Sequence, residues 1–148
     1  MIGYAGFEVF NKREFELWSR ATEMVRMIPD DMDHSDRISP AWDRHHYRIR
    51  CHELANAVGT YLRLQVTNGN CGSVEHTWCW TTRDHILDVY SIGTLPMVQL
   101  VDYASMRKRI SLPYTHVYLA DPFPRTDIRT NIVNALLELW RTANVSSD

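Results

Sequence analysis

Apolar positions recur along this chain at two spacings, and the places where the spacing changes mark its elements. Over residues 12–27, Phe15, Trp18, Thr22, Val25 and Ile28 step by three or four, which predicts an amphipathic helix with one apolar stripe. Pro29 ends it, and a polar, acidic loop is expected over residues 30–43, with Pro40 inside it. Cys51, Leu54, Ala55, Val58 and Leu62 again share one helical face, predicting a second helix over residues 51–62. The period then falls to two. Residues 64–67 read as a strand leading into an Asn68-Gly69 turn, and residues 74–81 and 85–90 as two further strands. Gly93 and Pro96 break the chain before short strands at residues 97–101 and 115–120, and Arg107-Lys108-Arg109 reads as a surface segment. After Pro122 and Pro124, Ile128, Ile132, Val133, Leu136, Leu137 and Trp140 form the stripe of a last helix, residues 127–142, with Thr126 as its N-cap. Helices before and after hairpin-spaced strands predict an α+β fold, with helices packed on a small antiparallel sheet in a single domain over residues 1–148.

Composition narrows the function classes. A chain of 148 residues can bury a substantial core, roughly 70% of its unfolded surface. The net charge of −2 argues against a nucleic-acid scaffold, whose footprint would be strongly basic. No apolar run approaches the roughly 20 residues that cross a bilayer, and the start MIGYAGFEVFNKREF lacks the pattern of a secretory signal. Three cysteines, an odd number, make a poor disulfide framework and suit a reducing compartment, so a cytoplasmic protein is expected.

Against this background three residues carry chemistry. Cys51 opens the second helix, His76 lies in the alternating run that follows, and Asp88 lies in the next. A thiol attacks only as thiolate, and both a helix N-terminus and a nearby imidazole favour that form. The imidazole then serves as general base and acid, and a carboxylate fixes its orientation and stabilises its charge. The bland alternative is a small apolar thiol on a core face and a structural histidine. Asp88 weighs against it, because a carboxylate among Ile86, Leu87 and Val89 is in a run that should be buried and needs a partner. Alternation of strand faces supplies a test. His76 and Asp88 share a face across a hairpin if the loop is odd, such as Thr81-Thr82-Arg83, which sets Trp78 against Ile86 and His76 against Asp88. A two-residue Arg83-Asp84 turn separates them, unless a bulge intervenes.

Cys51-His52-Glu53-Leu54-Ala55-Asn56, preceded by Arg48, resembles the nucleophile region of arylamine N-acetyltransferases. Ile86-Leu87-Asp88-Val89, followed by Gly93, is similar to the strand that carries their catalytic aspartate, and His76-Thr77-Trp78 resembles the His-x-Trp element of transglutaminase-like cysteine peptidases. The resemblance spans about residues 48–93 and implies a papain-like domain with Cys51 as nucleophile, His76 as base and Asp88 as orienter. Ile49-Arg50 stand where the acetyltransferases carry Gly-Gly, so a minimal transglutaminase-like fold without a cofactor is the expectation.

Around this triad, the Cys51 N–H is a natural oxyanion donor, with Trp42 or His46 as a second. Trp78 and Trp80 share a strand face with His76 and are expected to wall a cleft for an apolar or aromatic substrate group. The implied activity is acyl transfer or amide hydrolysis through a thioester, on a protein, peptide or small amide substrate, with no membrane partner and no metal. The rival readings are a catalytically silent protein-binding module and a metal- or nucleic-acid-binding protein. Cys71, His76, Cys79 and His85 would form the metal cluster, although the opposite parity of 76 and 79 counts against it.

Overall fold

The structure is a computed structural model that describes residues 9–29, 49–72, 74–90, 98–106, 114–118 and 127–147. Helices α1 (Lys12–Arg26) and α2 (Cys51–Leu62) precede strands β1 (Gln65–Cys71), β2 (Val74–Thr82), β3 (His85–Asp88) and β4 (Gln99–Asp102). The short α3 (Tyr103–Met106), strand β5 (Tyr114–Tyr118) and helix α4 (Asp127–Thr142) complete the α+β fold. The strands form one antiparallel sheet in the order β4-β3-β2-β1-β5. One face contributes Cys79, Leu87 and Leu100 to a core built with α1, α2 and α4. Trp78, Ile86, Val101 and Tyr114 form a second, aromatic cluster. By strand alternation Trp78 and Ile86 face away from Cys79 and Leu87.

Two helices, α2 and α4, have the bounds that periodicity predicts, but the buried stripe of α1 is rotated. Glu14, Leu17, Ala21, Met24 and Val25 face inward, while Phe15 and Trp18 flank the core. The cause is Glu14, a carboxylate that apolar periodicity cannot recognise as internal. It closes a capping box with Asn11, accepts Thr81 Oγ1 at 2.5 Å and pairs with His85 Nδ1 at 2.9 Å. His85 in turn faces Asp102 at 3.7 Å. One buried side chain thereby starts α1 and fastens it to β2 and β3.

The Asn68-Gly69 pair is not a turn. β1 continues through it in unbroken register with β2, although its pairing with β5 shifts between Asn68 and Asn70, and the reversal comes later, where Gly72 takes φ +64°. Asn68 instead accepts the Thr77 hydroxyl across the strand pair at 2.7 Å, and Gly69 stands opposite His76. A turn-forming dipeptide yields here because a second glycine offers the left-handed conformation at a register that satisfies Asn68. The β2–β3 hairpin also departs from the expected odd loop. Its turn is the two-residue Arg83-Asp84 form, with Thr82 opposite His85, but the register shifts at Thr81 so that Trp80 faces Ile86 and Cys79 faces Leu87. Thr81 is the extra residue of a bulge, and it restores the shared face that a plain two-residue turn would have lost. Trp78 is therefore not opposite Ile86, nor His76 directly opposite Asp88. Continued, the register sets Asp88 against Trp78, with His76 diagonal to it on the same face.

At α2 a glycine sets the distance between layers. A Cβ on Gly59 would collide with Val66 Cγ2 and come within 3.2 Å of the Leu64 carbonyl oxygen. Helix propensity alone favours Gly59→Ala by about 1 kcal/mol, yet overpacking against a stiff β-branched side chain should reverse the sign. Urea denaturation should show Gly59→Ala less stable than wild type by about 1–3 kcal/mol. Removing the α1 fastening by Glu14→Ala leaves Thr81 and the largely buried His85 without their shared acceptor. The same measurement should show a loss of about 3 kcal/mol; a neutral effect would show that α1 is held by its apolar stripe alone.

Candidate active site

Cys51 is the first residue of α2. Arg50 precedes it in an extended conformation, and the Glu53 carboxylate accepts the Arg50 N–H at 3.0 Å, closing the helix start. The first intrahelical bond runs from the Leu54 N–H to the Arg50 carbonyl, so the preceding N–H groups lie at the positive end of the helix dipole. The thiol itself is half-buried, at the border of the helical core. His52 turns the other way, is buried, and meets the Asn56 amide at 3.4 Å.

His76 and Asp88 are sealed from solvent and joined by a 2.8 Å contact between Nε2 and Asp88 Oδ2. A carboxylate oxygen only accepts, which assigns a proton to Nε2. Asp88 has two more donors, the Tyr114 hydroxyl at 2.7 Å on the same Oδ2 and the Tyr90 N–H at 3.1 Å on Oδ1. With these three hydrogen bonds a carboxylate at 1% exposure avoids the penalty of unpaired burial. Burial works against the charged imidazole, but the hydrogen bond to Asp88 and its negative charge, with a further contribution from the Cys51 side chain, outweigh it and push the His76 pKa up to about 10. The balance favours the charged ring. Its other nitrogen, Nδ1, is buried without a hydrogen-bond partner among the described residues.

The thiols on β1 and β2 are disfavoured as thiolates. Burial, aided by the negative charge of Asp88, pushes Cys71 up to about 11. Burial pushes Cys79 higher still, and its thiol donates to the Ala55 carbonyl on α2 at 3.3 Å.

The remaining site residues fare unevenly. Trp78 lies beside His76, ring centroids 6.0 Å apart, but it is fully buried and does not wall an open cleft, because Tyr114 packs edge-on against it at 5.1 Å. Trp80 is only partly buried; its indole N–H is spent on Thr67 Oγ1 at 2.7 Å and its ring on Tyr103. Trp42 and His46 lie outside the described residues. Of the residues suggested for a metal cluster, Cys79 faces α2 and His85 is held by Glu14. Among the described residues no group of three His, Cys, Asp or Glu side chains is placed to hold a metal ion, and no helix is long and apolar enough to cross a membrane.

Tyr114 was missed by sequence reasoning. It follows Pro113, one residue before the expected strand, and no spacing relates it to Asp88. Its reach across the sheet is a tertiary fact. The structure thus pairs His76 with Asp88 and adds Tyr114 to the same carboxylate, while the Cys51 side chain acts on the ring electrostatically. Comparison of the chain with protein-family models, with curated proteins and with solved structures finds no match.

Proposed function

We propose that this protein carries out cysteine-dependent acyl transfer or amide hydrolysis, with Cys51 as nucleophile, His76 as general acid and base, and Asp88 as orienter. The observation that carries the reading is the 2.8 Å His76–Asp88 contact on a ring that also interacts with a half-exposed thiol at a helix N-terminus. We read the fold as a minimal papain-like, transglutaminase-like domain, in which a helix start presents the thiol and the following antiparallel strands present base and orienter.

The chemistry runs in two halves. The Cys51 sulfur bonds to the substrate carbonyl carbon, and the charge that develops on the carbonyl oxygen is met by the N–H groups at the start of α2. The C–N bond breaks as the imidazolium gives its Nδ1 proton to the departing amine, leaving a thioester and a neutral ring. Water or an amine then loses a proton to His76 and attacks the thioester carbon. The C–S bond breaks, and the thiolate–imidazolium pair returns. Asp88 stays ionised throughout and holds Nε2, so that Nδ1 is the nitrogen left for the sulfur.

A second reading, a catalytically silent binding module, draws on one specific observation: the His76 ring is fully buried and its Nδ1 has no hydrogen-bond partner among the described residues.

Alkylation separates the two. At about pH 7, iodoacetamide should modify Cys51 at least about tenfold faster than Cys71 or Cys79, and His76→Ala should slow Cys51 by about tenfold. Peptide mass mapping over time reads both rates; three equally slow cysteines would leave only the silent module.

Ring protonation gives an independent check. Because the folded pKa of His76 lies above the ordinary value near 6.5, its charged form persists through neutral pH and is lost only as pH rises through about 10. Nuclear magnetic resonance on ring-labelled histidine should show that titration, and Asp88→Asn should bring it down toward the ordinary range. A wild-type ring titrating near 6.5 would remove the general acid from the proposed first half-reaction.

A further inference from the structure

We propose that Tyr114 is a positioning residue whose hydroxyl tunes how tightly the His76–Asp88 pair holds its proton. The inference rests on the reading of this pair as the acid and base of the site, and it extends that reading to a residue from the far edge of the sheet.

The argument starts from which oxygen is used. Tyr114 Oη lies 2.7 Å from Asp88 Oδ2, and His76 Nε2 lies 2.8 Å from that same atom. Oδ1 is occupied separately by the Tyr90 N–H. Two donors on one carboxylate oxygen compete, since each draws electron density from the acceptor the other needs. While the ring is charged, Oδ2 is largely compensated by the imidazolium, and the tyrosine bond adds little. Once the ring has lost its proton, the carboxylate charge is no longer compensated. The bond from Tyr114 then strengthens, as hydrogen bonds to charged groups do. The hydroxyl therefore stabilises the state after proton release more than the state before it, and makes His76 a better acid.

Packing keeps this geometry. β5 is an edge strand beyond β1, with Tyr114 paired to Cys71. Gly69 of β1 stands opposite His76 and adds no side chain to the sheet face there. The Tyr114 ring sits 6.4 Å from the His76 ring and 5.1 Å from Trp78. Among the described residues, the titratable groups acting on the pair come from every neighbouring element. They are Cys51 of α2, Cys71 of β1, Cys79 of β2 and Tyr114 of β5. Of these, Tyr114 is the one whose hydroxyl donates to the carboxylate oxygen that holds His76.

Tyr114→Phe removes the hydroxyl and retains the ring that packs against Trp78. In the full chain with ring-labelled histidine, the His76 titration should move upward by about one pH unit, a tenfold tighter hold on the proton. The same substitution in an Asp88→Asn background should move it far less. An unmoved or lowered titration in Tyr114→Phe, or an equal shift without the carboxylate, would overturn the proposal. Should the variant not fold, the wild type supplies the test. Below the ring titration, the Tyr114 hydroxyl proton and the His76 Nε2 proton converge on one oxygen and should show a nuclear Overhauser contact. Absence of that contact while both protons are observed would overturn the proposal. These readouts need no turnover, so an inert Cys51 would defeat the proposed function and leave the Tyr114 inference standing or falling on its own result.

Discussion

A carboxylate almost wholly removed from water governs this architecture. Asp88 is 1% exposed, and an isolated charge in such a place is too costly to persist. Its donors come from the neighbouring strand β2, from the edge strand β5 and from the backbone just past β3. Satisfying one side chain thus requires segments far apart in sequence to be in place together. The sheet order, with β5 laid beside β1, lets Tyr114 reach the carboxylate from the side opposite the β3–β4 pairing.

The same constraint accounts for the contrast within the candidate site. His76 and Asp88 are sealed, whereas Cys51 is half-buried. In the proposed chemistry the sulfur bonds to substrate, whereas the ring needs only its Nδ1 edge within proton-transfer reach of the amine or water. The ring benefits from exclusion of water, because its pairing with Asp88 is unscreened there and prevails over the burial that opposes its charge. Cys71 and Cys79 are driven toward the protonated state by burial, with the charge of the same carboxylate adding to it.

What could be read from the sequence divides along local and nonlocal lines. The bounds of α2 and α4 were legible because apolar spacing and the flanking residues act within a few turns. So was the pairing of Asp88 with His76, because a carboxylate in an apolar run demands a partner and the neighbouring strand offers an imidazole. The α1 stripe was not, since Glu14 is internal only by virtue of Thr81 and His85, residues about 70 positions away. Asn68-Gly69 misled for a related reason: turn chemistry is local, but register is chosen by the whole strand pair, and Gly72 was available three residues on. Tyr114 carried no local signal at all. Trp78 and Trp80 were placed on the correct face by alternation, yet their burial and bonding depended on Tyr114, Tyr103 and Thr67.

The bulge at Thr81 joins these strands of reasoning. Without the extra residue, the two-residue Arg83-Asp84 turn would put Asp88 on the face opposite His76, because side chains alternate with period two. Thr81 is held in place from outside the hairpin. Its hydroxyl donates to Glu14 Oε2, and its carbonyl accepts Arg13 Nη1 at 3.3 Å. The capping glutamate that starts α1 is therefore also the anchor of the irregularity that lets the imidazole and the carboxylate meet. A first-turn side chain of the first helix fixes the parity of a hairpin near the middle of the chain, and through that parity the direction in which Asp88 points. The order of dependence runs from Glu14 to Thr81, from Thr81 to the β2–β3 register, and from that register to the orientation of the ring beside Cys51.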